Sequence, residues 1–337
     1  MGKRILVIKP SSFGDIVHLF PALKMIRENF PDAEADFVVN PEFAGVLEFS
    51  PLPIRRKIIF ERRKLSSVRT FPGEILHLIR EIRQQKYDIT IDFQGLLRSG
   101  LLTFISRADR KAGFSSPREK SAALFYNQKY PVPRCHAVKR CGLLAAQALQ
   151  IKDFTLKNGD LPENPAGKAE LSSLPEHFIA LLPGARWESK RFPPGFFTAL
   201  INAIRSKTGK KNAFVVCGTA QETGLAEKIG CDAIDFAGKT SVAGLFELLR
   251  RSDAVIGNDS GPLHVAAALN VPVFGFYGST DPELTGPWGE NCRTFQAETD
   301  CIGCLKRICP DSSYRCWDLD VDKIALEIVK ILKGDGI

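Results

Sequence analysis

Apolar and polar positions follow two periods that take turns along the chain. Short runs rich in β-branched residues, RILVIK (4–9), EADFVVN (34–40) and YDITIDFQG (87–95), read as strands. Between and after them lie stretches of helical period at 15–29, 72–85 and 136–149; in the second, Ile75, Leu78, Ile79 and Ile82 share one face. The segment 157–177, polar and rich in Pro, Gly and Ser, breaks the pattern and reads as an interdomain linker. The alternation then restarts, with strands expected at 178–184, 212–218, 253–259 and 271–278. Helices are expected at 193–207, 220–230, 242–252 and 261–270.

Strands this uniformly apolar, alternating with helices, imply parallel sheets covered on both faces. The expected fold is α/β: two Rossmann-like domains, 1–160 and 175–337, with parallel sheets facing across a cleft. In such sheets the ligand sits beyond the carboxyl ends of the strands. Function is therefore sought in the loops after 4–9, 87–95, 178–184, 212–218 and 253–259. A length of 337 residues suits two cores rather than one. No window approaches the roughly 18 apolar residues of a membrane span, and MGKRILVIKP reads as a buried strand rather than a signal peptide. A cytoplasmic setting is expected, and the nine cysteines are expected as thiols or metal ligands.

Charge adds an asymmetry. Residues 1–170 hold 28 Lys and Arg against 18 Asp and Glu, whereas residues 171–337 hold 18 against 20. A basic first half suits an anionic partner: nucleic acid, a membrane surface or an acidic substrate. No recognition helix or aromatic-basic word supports nucleic acid.

The chain has neither a P-loop nor a G-x-G-x-x-G, which leaves helix N-termini to hold phosphate. GNDSGPLH (257–264) has that form: Asp259, Ser260 and Gly261 make a tight turn, Pro262 enters a helix and His264 stands in its first turn. Simple N-capping is the alternative. In PGARWESKRFPP (183–194), Arg186, Lys190 and Arg191 offer cations to a diphosphate leaving group, or form a solvated basic loop. Glu222 in CGTAQETG suits ribose hydroxyls, or balances a helix dipole. In KPSSFGDIVHLFPAL (9–23), Asp15 is either a helix-end carboxylate, with Ser12 the other capping candidate, or a catalytic base. His18 is a packing residue or a partner for Asp15. Gln94, Arg98 and Ser99 follow a strand, and Arg62, Arg63, Lys64, Arg118 and Arg140 would suit a multiply anionic acceptor, with solvated helix faces as the alternative. Cys301, Cys304, Cys309 and Cys316, spaced C-x2-C-x4-C-x6-C, fit a structural Zn²⁺, less well an iron–sulfur cluster, or four reduced thiols packing a loop. WDLDVD (317–322) reads as a cap for the last helix.

The words KPSSFGDIVHLFPAL, DFQGLLRSG, PGARWESKRFP and GNDSGPLHVAAALNVPVFGFYGSTDP, in this order, resemble glycosyltransferase family 9, the lipopolysaccharide heptosyltransferases, over nearly the whole chain. REKSAALFYNQKY and HAVKR resemble the heptosyltransferase I branch, while the four-cysteine segment resembles members of the heptosyltransferase II branch. The resemblance implies a GT-B fold, with the acceptor on the N-terminal domain and the nucleotide sugar on the C-terminal one. It implies inverting transfer of L-glycero-D-manno-heptose from ADP-heptose to the Kdo region of lipid A, at the cytoplasmic face of the inner membrane, with no cofactor required. Asp15 then matches the general base and Lys190 the diphosphate contact. Gly184, Arg186, Glu222, Asp259, Ser260, Gly261 and His264 become donor contacts. Ser12, Arg62, Arg63, Lys64, Gln94, Arg98, Arg118 and Arg140 become acceptor contacts. A heptosyltransferase II-type enzyme acting on heptosyl-Kdo2-lipid A and a non-catalytic sugar-nucleotide binder are the alternatives; no oligomeric state follows.

Overall fold

A computed structural model describes residues 2–65, 71–209 and 212–333. The chain divides into two compact units, Met1–Pro162 and Glu163–Ile337.

The first unit is built on strands β1 (Arg4–Ile8), β2 (Glu34–Val39), β3 (Ile54–Ile59), β4 (Lys86–Asp92), β5 (Arg107–Phe114) and β6 (Gln128–Tyr130). They form one parallel sheet in the order β3-β2-β1-β4-β5-β6. Helices α1 (Phe13–Val17), α2 (Phe20–Asn29), α3 (Arg62–Leu65), α4 (Phe71–Arg83), α5 (Leu97–Ile105) and α6 (Ala137–Leu149) make the crossovers. Leu6, Ile8, Val38 and Ile58 point to one face and bury against Leu78 and Ile82 of α4. Strand order runs outward in opposite directions from β1 and β4, which pair Ile5 with Ile89 and Ile8 with Asp92. That reversal is where a doubly wound sheet opens a crevice for ligand.

The second unit repeats the plan. Strands β7 (Ile179–Leu182), β8 (Phe214–Val216), β9 (Ile234–Asp235), β10 (Ala254–Asn258), β11 (Val273–Phe276) and β12 (Cys292–Phe295) form a parallel sheet ordered β12-β11-β10-β7-β8-β9. Its helices are α7 (Pro165–Ala169), α8 (Pro194–Thr208), α9 (Leu225–Ile229), α10 (Val242–Arg251), α11 (Gly261–Ala268), α12 (Pro282–Thr285) and α13 (Val321–Leu332). Phe197, Phe214, Phe274, Phe276, Ile324 and Ile328 are among the residues of one core cluster. Here the reversal lies between β7 and β10, where a Cβ on Gly257 would stand 2.5 Å from the Leu182 Cβ. Only glycine allows that approach.

Several expected elements differ. The helix expected at 15–29 breaks into α1 and α2, because Pro21 sits in the first turn of α2 and so starts its body. The helix expected at 220–230 splits into a 3₁₀ turn (Ala220–Glu222) and α9 around Gly224, whose φ is +85°. The polar segment 157–177 is no free linker, since the unit boundary falls inside it and its later part packs on the second unit. Asn164 N–H donates to Glu247 Oε1 at 2.8 Å, Ser241 Oγ donates to Glu170 at 2.6 Å, and Leu171 is wholly buried. Asp320 caps α13 by accepting from Lys323 N–H at 3.0 Å, as WDLDVD leads one to expect.

Candidate active site

At the end of β1 the chain turns through Pro10, Ser11 and Ser12 into α1. Asp15, in the first turn of α1, accepts from Ser12 N–H at 2.9 Å and from Ser12 Oγ at 2.7 Å, both on Oδ2. Its other oxygen, Oδ1, lies 3.9 Å from Lys9 Nζ, and the side chain keeps 44% of its accessibility. Burial pulls the Asp15 carboxyl upward, but the Lys9 ammonium, the two Ser12 donors and His18 outweigh it and hold it down to about 2. Asp15 is thus a fixed anion at neutral pH with one oxygen bound by Ser12. Capping geometry and an ionised carboxylate coexist in one side chain. His18 is buried, its ring 5.5 Å from that of His136 in an edge contact.

Lys9 was not among the candidates from sequence. It directly follows β1, is 8% exposed, and donates to the Phe93 carbonyl at 3.3 Å. The available signal was a charge where an apolar strand run ends. Asp92, the last residue of β4, carries the same signal and was also missed. It is wholly buried and accepts from Tyr126 OH, Ser99 Oγ and the N–H groups of Gln94 and Gly95. Burial raises its pKa against those donors. The carboxylate shapes the following loop, with Gly95 at φ +69° and Pro117–Arg118 packed where a Cβ would stand.

That loop gathers several acceptor candidates. Gln94 Oε1 accepts from Ser11 N–H at 3.4 Å, joining the β4 loop to the β1 loop. Glu119 N–H donates to the Gly95 carbonyl at 3.0 Å, which brings exposed Arg118 beside it. Arg98 is lowered in pKa by burial and by the like charge of Arg62, so these two guanidinium groups share one neighbourhood. Lys64 is exposed and paired with Glu61 at 2.6 Å. The side chain of Arg63 lies outside the described residues. Arg140, on α6, lays its guanidinium 4.8 Å above the Phe114 ring, with Nε buried and without a hydrogen-bond partner.

In the second unit three loops converge at the carboxyl edge of the sheet. Glu222 accepts from Thr219 N–H at 2.8 Å and from Thr219 Oγ1 at 2.5 Å. Its side chain occupies the space that side chains on Gly184 and Gly218 would take: a Cβ on either would meet Glu222 at 2.7 and 2.9 Å. A side chain at either position would make Glu222 shift. Asn258 Nδ2 donates to the Pro183 carbonyl at 2.7 Å, tying β10 to the loop after β7.

Lys190 Nζ reaches Asp259 Oδ2 at 2.6 Å, and Thr280 Oγ1 donates to the same oxygen at 2.5 Å. His264 Nε2 is 3.9 Å from Asp259 Oδ1. Asp259 is therefore the hub that holds Lys190. Ser260, the N-cap of α11, has its Oγ buried without a hydrogen-bond partner, as have Asn258 Oδ1 and Tyr277 OH. Gly261 opens α11, whose first N–H groups and positive dipole end favour an anion. Arg186 is exposed in the loop before Lys190, and Arg191 Nε donates to the Ala185 carbonyl at 2.6 Å.

The four-cysteine segment packs on the Lys190 loop. Among the described residues no three His, Cys, Asp or Glu side chains are placed to hold a metal ion. Cys301, Cys304, Cys309 and Cys316 are free thiols that share one neighbourhood, as the reading of thiols packing a loop expects. Cys309 Sγ donates to Asp311 at 2.9 Å, Cys301 Sγ sits 3.5 Å from Thr299 Oγ1, Cys304 is exposed, and Cys316 is buried against Gly278. What the segment does is strap the Lys190 loop. Buried Ser189 donates through N–H to the Arg307 carbonyl at 3.1 Å and through Oγ to the Lys306 carbonyl at 2.6 Å. Its Oγ is 2.9 Å from Ser279 Oγ, and its carbonyl accepts from Trp317 Nε1 at 3.3 Å. Tyr314 OH donates to Glu188, and Arg307 and Lys190 both lie over the Trp187 ring. Ser189, Ser279 and Thr280 were not singled out in the sequence, where small hydroxyls carry no distinctive spacing.

Residues 75–315 match glycosyltransferase family 9 (heptosyltransferase). The lipopolysaccharide heptosyltransferase 1 of Pseudomonas aeruginosa is 30% identical over 324 residues, 91% of this chain and 87% of that protein. The lipooligosaccharide heptosyltransferase 2 of Campylobacter jejuni is 25% identical over 99% of this chain and 100% of its own length. The solved structure of the Escherichia coli heptosyltransferase WaaC with ADP aligns with a TM-score of 0.75 at 25% identity, covering 99% of this chain and 100% of that one.

Proposed function

The chain belongs to glycosyltransferase family 9, and from that premise we propose that it transfers L-glycero-D-manno-heptose from ADP-heptose to the Kdo region of Kdo2-lipid A, with inversion and without a catalytic metal. The observation that carries the reading is the cation held by a buried carboxylate beside an open helix N-terminus: Lys190 on Asp259, next to Ser260 and α11. This is what a departing nucleoside diphosphate requires, since its negative charge grows as the glycosidic bond breaks.

In the proposed step the acceptor oxygen attacks the anomeric carbon as the bond from that carbon to the diphosphate oxygen breaks. The acceptor proton passes to Asp15 and ADP leaves with the bonding electrons. Oδ2 of Asp15 is occupied by Ser12, so Oδ1 is the oxygen that takes the proton. A carboxylate held near 2 is a weak base, so it accepts the proton only as the hydroxyl acidifies during bond formation. Lys190 and the α11 N–H groups neutralise the diphosphate; Glu222 holds the ribose hydroxyls, with Gly184 leaving room for it, and Arg186, Gly261 and His264 complete the donor set. Ser12, Gln94, Arg62, Arg63, Lys64, Arg98, Arg118 and Arg140 would face the acceptor's carboxylates and phosphates. The acceptor is a lipid, which places the reaction at the cytoplasmic face of the inner membrane. No helix among the described residues is long and apolar enough to cross a membrane.

The decisive assay mixes the protein with ADP-heptose and Kdo2-lipid A, without added metal, and measures ADP release. The similarity to the Campylobacter jejuni lipooligosaccharide heptosyltransferase 2 along the full chain favours a second reading, in which the acceptor is already heptosylated. Release with heptosyl-Kdo2-lipid A and none with Kdo2-lipid A would select it. ADP-heptose binding with no release on either acceptor would mark a non-catalytic binder.

A further inference from the structure

Helix α5 presents two unlike faces. Ser99, Gly100, Leu102 and Thr103 are buried against the sheet. Leu97, Leu101 and Phe104, at positions i, i+4 and i+7, are 43%, 44% and 58% exposed. A 3₁₀ turn, Lys120–Phe125, lies along α5 at Gly100, where a Cβ would stand 2.9 Å from the Phe125 ring and 3.0 Å from the Ala122 carbonyl. The turn extends the apolar stripe: Phe125 meets the Phe104 ring edge-on at 5.9 Å, and Leu124 is 79% exposed. Aligned apolar side chains this exposed are unusual on a soluble surface and mark a contact site.

The rim is basic. Lys120 and Arg107 are exposed, and Lys111 Nζ lies 5.1 Å from the Phe104 ring centroid. One exposed acid, Glu119, stands at the start of α5, where it accepts from Leu97 N–H at 2.7 Å. Apolar side chains ringed by cations, in the half of the chain with 28 basic against 18 acidic residues, complement an anionic lipid surface, which takes the apolar groups below its headgroups and attracts the cations.

We propose that the exposed face of α5 together with Leu124 seats the protein on an anionic lipid bilayer. The proposal deepens the reading of a lipid-linked acceptor and rests on it for the nature of the partner. Two acceptor candidates, Arg98 and Arg118, lie on α5 itself and just before the 3₁₀ turn, so a seated face brings headgroups to the residues assigned to them.

The test is co-sedimentation with phosphatidylcholine vesicles with and without phosphatidylglycerol, at low and at physiological salt. Binding is expected to need the anionic lipid and to weaken with salt. The triple variant Leu101→Gln, Phe104→Gln and Leu124→Gln should bind about tenfold more weakly. It should keep the parent melting temperature and the parent rate of ADP release on a deacylated, water-soluble acceptor. Unchanged vesicle binding by the variant overturns the proposal. So does a lack of vesicle binding by the parent; self-association that the variant abolishes would then assign the face to a second copy. If the face binds vesicles but no acceptor yields ADP, the docking surface stands and the transferase reading fails.

Discussion

Lys190 Nζ and Asp259 Oδ2 form a 2.6 Å ion pair in which the lysine side chain is 17% exposed and the aspartate side chain 7%. Breaking a pair this enclosed from one side leaves a buried charge, which costs about 3–5 kcal/mol. Lys190→Met should therefore lower both the melting temperature and turnover, with kcat falling about 10²–10³-fold. The double variant Lys190→Met, Asp259→Asn should recover most of the stability and none of the turnover. Thermal melts beside steady-state ADP release separate the two roles; recovery of both would place Lys190 outside the chemistry.

Asp15→Asn keeps the shape of the side chain and removes the charge that the proposed base requires. Turnover should fall about 10²–10⁴-fold, with ADP-heptose affinity by calorimetry nearly unchanged. Equal loss of donor affinity would assign Asp15 to donor binding instead.

The pH profile follows from the same residue. Its carboxyl lies near 2 in the folded protein against an ordinary 3.8. The folded pKa is depressed, so the stabilisation is fully present above 3.8 and is lost as pH falls through 2. The kcat profile should then show no acid limb from Asp15 at pH 4 and above. Lys9→Met removes the nearest cation and should bring an acid limb up toward the ordinary carboxylate range. A profile that does not move in this variant would remove Lys9 from the control of Asp15.

Gly184→Ala would place a methyl group 2.7 Å from the Glu222 side chain. If Glu222 binds the ribose, Gly184→Ala and Glu222→Ala should each raise the donor KM, and their combination should do little more, because neighbouring substitutions on one function are not additive. Additive effects in KM would separate the two residues.

Ser189→Ala should unpin the loop of Lys190. The Lys306 carbonyl loses its donor, at a cost of about 1–3 kcal/mol. The donor KM should rise severalfold while the pH profile stays that of the parent, as suits a residue acting through its neighbour.

Much of this was legible in the chain because parallel strands buried on both faces leave long apolar runs, as in RILVIK and DAVIGND. The strands that stayed hidden have charged positions. In β3, IRRKII, Arg55 and Arg56 look solvated, yet Arg55 pairs with buried Asp36 at 3.0 Å and Arg56 with Glu81 at 2.8 Å. Tyr87 OH closes that network on Asp36 at 2.7 Å. Partners 19 to 51 residues apart leave no local period to read. The same holds at the site: the charged members Asp15, Lys190, Glu222 and Asp259 stand in recognisable words, but Lys9, Ser189 and Thr280 owe their roles to residues brought to them only by folding. The cysteine spacing marked a real cluster, but spacing alone does not tell thiols that pack a loop from thiols that bind metal.

The bond from Ser189 Oγ to the Lys306 carbonyl spans 117 residues. A growing chain therefore presents the loop of Lys190 long before the strap that holds it has been synthesised. The second unit can assemble β7, β8 and β10 early, but the loop of Lys190 gains its contacts at Ser189 only after residues 303–317 emerge and fold back. A chain stalled or clipped between β12 and that strap would keep the Lys190–Asp259 pair but lose the backbone contacts that pin the loop at Ser189.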